Sequence, residues 1–283
     1  MKKIYVTKAS GELEEFSEEK LIHSLRRANA SDTQIHSILE SIASKLYDGI
    51  TTDKIYKEAF RLLKSQSKPN AARYNLKRGM MQMGTSGFPF ERFVAELFKA
   101  QGYATVVGSI IPGKCIQHEV DIIAEKQHQL VFVECKYRNQ SGFSVDVKNP
   151  LYIHSRFQDI LDNGFIKDDN IRFEGWIATN TKFTEDAIAF GRCKDIRMLS
   201  WNYPNNNSLK DIVDKTGLYP LTCLTTLTRF EKGWLLDHNY ILVQQVYNNA
   251  NALREAGVTE NRLEKIYQEG QQLCQDIQQS YNY

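Results

Sequence analysis

The most informative run of this chain is Leu130-Val131-Phe132-Val133-Glu134-Cys135-Lys136. Its first four residues are apolar, β-branched or aromatic, which favours a buried strand. Successive side chains of a strand point to opposite faces, so Glu134 and Lys136 share one face. The run therefore predicts a carboxylate and an ammonium group that project side by side from the core of an α/β domain.

A second acid, Asp121, lies in an earlier strand-like run at residues 120–123. Hairpin pairing of the two runs would bring its carboxylate next to Glu134. Magnesium prefers oxygen ligands and is commonly held by one or two carboxylates together with substrate phosphates. Asp121 and Glu134 are therefore the predicted ligands of Mg²⁺ or Mn²⁺, and Lys136 is expected to position water or offset charge during phosphodiester hydrolysis.

The helix that precedes these strands supplies one further acid. An apolar stripe at helical spacing identifies this helix at residues 90–98. Glu91 lies on the flank of the stripe, whereas Glu96 falls on the far side together with basic residues. Glu91 is therefore the preferred site residue of this helix.

The chain divides into three predicted regions, which together make an α/β multi-domain protein. Residues 1–85 are expected to form a short hairpin followed by a helical bundle, and a glycine-containing break ends them. Residues 86–208 alternate helices and strands, which indicates an α/β core with a mixed sheet. Residues 209–283 form a predicted helical region that is expected to pack against this core, with DNA contact or dimerisation as alternatives.

The composition is that of a globular protein, with 283 residues, 42% hydrophobic content and a formal net charge of +2. Such a small charge does not indicate wholesale electrostatic capture of nucleic acid. The five cysteines are scattered without a C-x-x-C pair, so neither a disulfide framework nor a structural zinc site is expected. No apolar run is long enough for a membrane span and no signal-peptide core follows Met1, so a cytoplasmic protein is expected.

The core region carries a set of short segments in a characteristic order: Gly87-Phe88-Pro89-Phe90-Glu91, Gly102-Tyr103, His118-Glu119-Val120-Asp121, Glu134-Cys135-Lys136, Trp176-Ile177-Ala178-Thr179-Asn180 and Phe183-Thr184-Glu185-Asp186-Ala187. This order resembles the PD-(D/E)XK nucleases, especially Mrr-like restriction endonucleases and archaeal-type Holliday-junction resolvases. The resemblance covers residues 86–203. It implies that Asp121 and Glu134 bind the metal, that Lys136 is the catalytic lysine and that Glu91 is an auxiliary acid. Val120 stands where the family's eponymous proline is expected.

A second set of residues lies in the N-terminal region: Val6-Thr7-Lys8, Gly11, Glu14, Phe16-Ser17, Lys20-Leu21, Tyr47-Asp48-Gly49-Ile50, Thr52, Ile55-Tyr56, Ala71-Ala72-Arg73 and Lys77. In order and spacing it is similar to the ATP-cone, the regulatory domain at the start of many ribonucleotide reductases. The resemblance implies ATP or dATP as a regulatory ligand. The residues expected to bind it are Lys8, Glu14, Lys20, Thr52, Arg73 and Lys77. Several cations suit a triphosphate. The family usually has a basic residue after the hairpin lysine, where this chain has Ala9, so the preferred base stays open.

The two resemblances together predict a DNA endonuclease regulated by ATP or dATP. Nucleotide binding is expected to change the oligomeric state of a homo-oligomer, a dimer or higher, and so to gate cleavage. The alternatives are a nucleotide-responsive DNA-binding protein with an inactive nuclease fold, and a junction resolvase. A transcriptional regulator with a zinc ribbon is disfavoured because C-x-x-C pairs are missing. The Lys136-Tyr137-Arg138 run, Lys148 and Arg156 are candidates for contacts with backbone phosphates, with a solvated surface as the equal alternative.

Overall fold

A computed structural model describes residues 3–168 and 170–280 of the chain. These residues form two compact units. The first unit contains the residues up to Gln82, residues 140–142 and the residues from Tyr219 onward, and the second contains residues 83–139 and 143–218. The first unit is thus built mainly from two parts of the chain that are far apart in sequence, with three residues from between them.

The N-terminal part of the first unit joins a small sheet to a helical bundle. Strand β1 (Tyr5–Thr7) pairs antiparallel with β2 (Leu13–Glu15) and parallel with β3 (Ile50–Thr51). The helices are α1 (Glu18–Arg27), α2 (Asp32–Ala43), α3 (Thr52–Gln66), α4 (Lys68–Tyr74) and α5 (Leu76–Met81). Hydroxyl groups of Ser17, Ser31 and Thr51 accept backbone hydrogen bonds at the starts of the first three helices. The predicted hairpin and bundle are confirmed, and β3 is an additional strand.

A mixed five-stranded sheet is the centre of the second unit. The strands of this unit, in chain order, are β4 (Ala104–Pro112), β5 (Gln117–Lys126), β6 (Gln129–Lys136), β7 (Ser144–Val145), β8 (Arg172–Thr179), β9 (Lys182–Phe183) and β10 (Ile196–Leu199). The order across the large sheet is β10-β8-β6-β5-β4. The β4, β5 and β6 strands run antiparallel, and β6, β8 and β10 run parallel. The predicted mixed sheet is confirmed, and β7 and β9 pair separately.

Helices cover both faces of this sheet. They are α6 (Phe88–Ala100), α7 (Lys148–Asp162), α8 (Glu185–Cys193) and α9 (Leu209–Thr216). Trp176 and Ile177 are neighbours on β8, so their side chains point to opposite faces. Trp176 meets Phe98 of α6 edge to face, with 5.4 Å between ring centroids, whereas Ile177 lies in a core cluster with Phe157 of α7. The α6 and α7 helices therefore lie on opposite faces of the sheet.

The C-terminal helices complete the first unit, which corrects one prediction. They are α10 (Arg229–Asp237), α11 (Val243–Val246), α12 (Ala250–Glu255) and α13 (Glu260–Ser280). Arg73 of α4 donates hydrogen bonds to the backbone carbonyls of Gln272 and Leu273 in α13. The expectation that these helices pack against the α/β core is wrong, because the buried face of α13 lies against the N-terminal helices.

Two further points concern individual helices. The α9 helix lies beyond the predicted boundary at residue 208 but packs against α6 in the second unit. The α13 helix is 21 residues long. Within the ranges that the structure describes, neither α13 nor another helix combines the length and the apolar character needed to cross a membrane.

Gly79 of α5 lies against the turn at Leu221–Cys223, which makes this contact testable. A methyl group on Gly79 would place its carbon 2.8 Å from Sγ and 3.2 Å from the backbone nitrogen of Cys223. We expect Gly79→Ala to destabilise the protein by about 1–3 kcal/mol, because overpacking forces backbone to move. The measurement is urea unfolding.

Gly233 of α10 provides the matched control. Among the described residues, leaving aside its chain neighbours and the backbone of its own helix, no atom lies within 4 Å of the position that its methyl carbon would take. Gly233→Ala should therefore stabilise the protein by about 0.5–1 kcal/mol, since alanine is the better helix former. Equal shifts in the two variants would contradict the packing of α5 against the turn.

Candidate functional site

Asp121 lies where β5 separates from β6. The backbone pairing of these strands ends at Ile122 and Val133. Beyond that point Oδ2 of Asp121 accepts the N–H of Cys135 at 2.6 Å. The carboxylate thus replaces a hydrogen bond between the strands. This break in the ladder brings Asp121 to the stretch of β6 that carries Glu134.

Glu134 is buried, with 3% of its surface exposed, and each of its oxygens contacts a cation. Nζ of Lys136 donates to Oε1 at 2.6 Å, and Nη1 of Arg156 on α7 donates to Oε2 at 2.6 Å. A carboxylate loses much of its hydration on burial, and this cost is offset only by charged or polar partners. Lys136 and Arg156 are these partners.

Glu91, in the first turn of α6, interacts with the same carboxylates. Burial, followed by the charge of Asp121, raises the pKa of Glu91 to about 7. Burial and then the charge of Glu134 raise the pKa of Asp121, although the Cys135 N–H acts in the opposite direction. The three carboxyl groups therefore form an electronegative cluster that favours a bound cation or a retained proton.

The chain after Lys136 is fixed by buried polar side chains at the end of β8. Oγ1 of Thr179 donates to the carbonyl of Lys136 at 2.6 Å. The fully buried Asn180 donates to the carbonyl of Arg138 at 2.7 Å and accepts its N–H at 2.9 Å. The Asn180 side-chain amide therefore bonds to the backbone of Arg138 as a paired strand residue would, and it fixes the chain just after the end of β6. The sequence analysis assigned Asn180 no role. The signal that could have indicated one is the polar pair Thr179-Asn180 directly after the apolar residues of a strand.

The donor set suits a hard divalent cation. Asp121 and Glu134 offer carboxylate oxygens from neighbouring strands, and Mg²⁺ commonly combines one or two such ligands with water and phosphate oxygens. Across residues 3–168 and 170–280, no three His, Cys, Asp or Glu side chains form a complete metal site. Asp121 and Glu134 are thus the two residues of this site that could hold such an ion.

Four residues of the predicted nucleotide site lie at one end of the small sheet. Lys8 and Lys20 both form ion pairs with Glu14. The distance between Nζ of Lys8 and Oε2 of Glu14 is 2.8 Å. Lys20, followed by Lys8, lowers the pKa of Glu14 to about 2. Thr52 is the exposed first residue of α3. Thr52 and Lys8 directly follow the last paired residues of β3 and β1, so they lie at the same end of these parallel strands.

The two remaining predicted nucleotide ligands differ from these four. Arg73 is 6% exposed and donates to carbonyls of α13, so the structure gives it a packing role. Lys77 is exposed on α5. The next residue, Arg78, lies 3.8 Å above the ring of Tyr56, which stacks on Tyr74 with 5.0 Å between centroids. Sequence reasoning missed this group, although Tyr74 and Arg78 have helical spacing.

Family models match three successive segments of the chain. Residues 4–77 match the ATP cone domain, and residues 219–274 match the family described as AF1548-like, C-terminal. Residues 90–155 match Uncharacterised protein family UPF0102, which is restriction-endonuclease-like. The resemblance of the N-terminal region to the ATP-cone is confirmed. The UPF0102 match includes the four predicted catalytic residues, whereas membership of the PD-(D/E)XK nucleases stays a prediction.

The chain is also similar to individual proteins. An uncharacterised protein of Archaeoglobus fulgidus is 32% identical over 131 residues, which is 46% of this chain and 71% of that protein. The crystal structure of AF1548, a protein of unknown function, matches with a TM-score of 0.55 and 26% identity over 67% of this chain and 98% of that one. MspJI restriction endonuclease, solved with a 27-mer oligonucleotide, gives a TM-score of 0.35 and 15% identity over 70% of this chain and 39% of that one, which is too low to establish a shared fold.

The raised pKa of Glu91 makes stability depend on pH. Between the ordinary pKa of 4.5 and the folded value of about 7, the folded state keeps a proton that the unfolded state releases, so stability falls as pH rises. Glu91→Gln removes this titration. We expect the variant to gain roughly 1–2 kcal/mol relative to wild type between about pH 5 and about pH 8, after allowance for partial solvent screening.

Urea unfolding in EDTA at a series of pH values measures this gain. Glu96→Gln is the control on the same helix, because Glu96 pairs with Lys99. A pH dependence that is the same in both variants would show that Glu91 titrates as an ordinary glutamate.

Proposed function

We propose that this chain, which belongs to the family of the uncharacterised Archaeoglobus fulgidus protein, is a metal-dependent DNA endonuclease regulated by ATP or dATP. The observation that carries the proposal is the position of Asp121 and Glu134 at the break between β5 and β6, with Lys136 beside them. This arrangement offers a cation two carboxylates and leaves an ammonium group next to the expected position of a phosphate. The restriction-endonuclease-like match over residues 90–155 supports the same reaction class.

Each side chain has its own task in the proposed hydrolysis of a phosphodiester. Asp121 and Glu134 would hold Mg²⁺ or Mn²⁺, which when bound makes water more acidic and offsets charge on the phosphate. Lys136 orients the attacking water and stabilises the negative charge that grows on the phosphoryl oxygens. Glu91 is suited to exchange a proton near neutral pH, because its pKa is about 7.

The ATP-cone is the proposed regulator. Lys8 and Lys20 converge on Glu14, so a triphosphate would find two cations already oriented toward one point. Nucleotide binding is proposed to change the assembly of a homo-oligomer and so to pair two active sites on the strands of one DNA duplex. Such coupling must be reciprocal, so DNA would change nucleotide affinity by the same factor.

Asp121→Asn tests the chemistry, because it keeps the shape of the side chain and removes its charge. We expect wild type to nick supercoiled plasmid with Mg²⁺ or Mn²⁺ and not with EDTA. The variant should be slower by roughly 100-fold or more, since a metal ligand and its electrostatic contribution are lost. Asp162→Asn, at the exposed end of α7, should nick like wild type. Plasmid that stays intact with wild type, while DNA is still bound, would identify a DNA-binding protein with an inactive nuclease fold.

Lys20→Ala tests regulation separately from cleavage. We expect ATP and dATP to bind roughly 10- to 100-fold more weakly, because a hydrogen bond to a charged group contributes about 1.5–3 kcal/mol. Isothermal titration calorimetry measures the affinity, and the effect of nucleotide on nicking should move to correspondingly higher concentration. Lys99→Ala removes an ion-paired lysine of the second unit and is the control. The same affinity in wild type and Lys20→Ala would exclude the hairpin end as the nucleotide site.

A further inference from the structure

Arg156 contacts the candidate active site from α7 and lies outside the predicted catalytic set. Its side chain is 14% exposed. Nη1 donates to Oε2 of Glu134 at 2.6 Å and to the carbonyl of Glu119 at 3.0 Å. Nη2 donates at 3.2 Å to the hydroxyl of Tyr152, one helical turn earlier, and the guanidinium carbon lies 4.9 Å from that ring's centroid. The guanidinium is thus held by one ionic partner and two neutral ones.

Arg156 and a metal would use the same carboxylate. Oε2 of Glu134 bonds to Arg156, and Oε1 bonds to Lys136. A divalent cation on this carboxylate repels a guanidinium within hydrogen-bonding distance, so metal binding weakens the contact between Glu134 and Arg156. The bonds of Arg156 to the Glu119 carbonyl and to Tyr152 are not opposed in this way, because both acceptors are neutral. Arg156 therefore stays at the site when it loses Glu134.

A guanidinium released in this position is matched to a phosphodiester. Its planar set of N–H donors fits two oxygens of one phosphate group. Nη1 is released from Glu134, and the neighbouring Nη2, which forms the same end of the planar group, is bonded among the described residues only to the neutral Tyr152 hydroxyl. Asp121 and Glu134 are acidic, and Glu91 lies near them, so a cation beside Lys136 would help to offset their repulsion of an anionic backbone.

We propose that Arg156 is a phosphate-binding residue, which exchanges the carboxylate of Glu134 for a non-bridging oxygen of the DNA backbone when the metal binds. The inference rests on the proposed nuclease function of the same site and adds an order of events to it. Metal binding releases Arg156, and the released Arg156 strengthens DNA binding. Metal and DNA are therefore coupled through one side chain.

Binding measured without cleavage tests this exchange. Mn²⁺ is titrated by calorimetry, and a short fluorescein-labelled duplex is titrated by anisotropy in Ca²⁺ and in EDTA. Arg156→Gln should bind Mn²⁺ at least as tightly as wild type, because a competing cation is gone. Its duplex affinity in Ca²⁺ should fall roughly 10- to 100-fold, with little change in EDTA. Arg156→Lys should recover part of the loss, since lysine keeps the charge but not the planar donor set.

Arg172→Gln is the matched control, because Arg172 is 61% exposed at the start of β8. Equal duplex affinities of Arg156→Gln and Arg172→Gln in Ca²⁺ would overturn the proposal. Loss of Mn²⁺ binding to the degree seen in Glu134→Gln would also overturn it, because Arg156 would then only position Glu134. If the glutamine variant fails to fold, as judged by thermal unfolding, the same comparison is made between Arg156→Lys and Arg172→Lys.

The result is separate from the test of the nuclease. A wild type that binds duplex through Arg156 in Ca²⁺, yet leaves plasmid intact with Mg²⁺ and Mn²⁺, refutes the endonuclease and retains Arg156 as a phosphate-binding residue. A wild type that nicks plasmid, with duplex affinity independent of Arg156, retains the endonuclease and refutes the exchange. Duplex binding by wild type that is the same in Ca²⁺ and EDTA refutes the exchange as well.

Discussion

A carboxylate inside a sheet needs positive partners, and Glu134 obtains them from two directions. Lys136 comes from the same strand, whereas Arg156 comes from a helix on one face of the sheet. Buried ion pairs are weak contributors to stability, since apolar residues of similar volume often serve the fold equally well. The proposed nuclease function gives this cluster a role other than stability. The pairing of β5 with β6 ends where the Asp121 side chain bonds to the Cys135 N–H.

The two units use their cations in different ways. In the first unit Arg73 is enclosed and bonded to carbonyls of α13, while Lys8 and Lys20 stay at the surface beside Glu14. The enclosed arginine holds the structure together, and the surface lysines remain able to exchange Glu14 for another anion. In the second unit Arg156 would combine the two roles, because it is nearly buried and is bonded to Glu134, the proposed metal ligand.

Local periodicity explains what the sequence could reveal. The strand period alone puts Glu134 and Lys136 on one face, and the apolar stripe of α6 identifies Glu91 as the acid that faces inward. Contacts set by tertiary packing leave no such pattern. Arg156 bonds to a residue 22 positions earlier, and Asn180 bonds to one 42 positions earlier. For the C-terminal helices, amphipathic character predicted a buried face correctly but contained no information about which surface would cover it, and the wrong partner was chosen.

In the sequence, the second unit lies between the two main parts of the first, so the second unit is synthesised completely before the first. All residues of the sheet and its helices have been synthesised once α9 is complete, but the first unit still lacks its last helices. The bonds between Arg73 and α13 join residues 199 and 200 positions apart. During that interval the buried residues of α4 and α5 lack their cover and are exposed to chaperones and proteases. A premature stop codon after α9 would therefore leave the second unit complete and the first unit without its last helices.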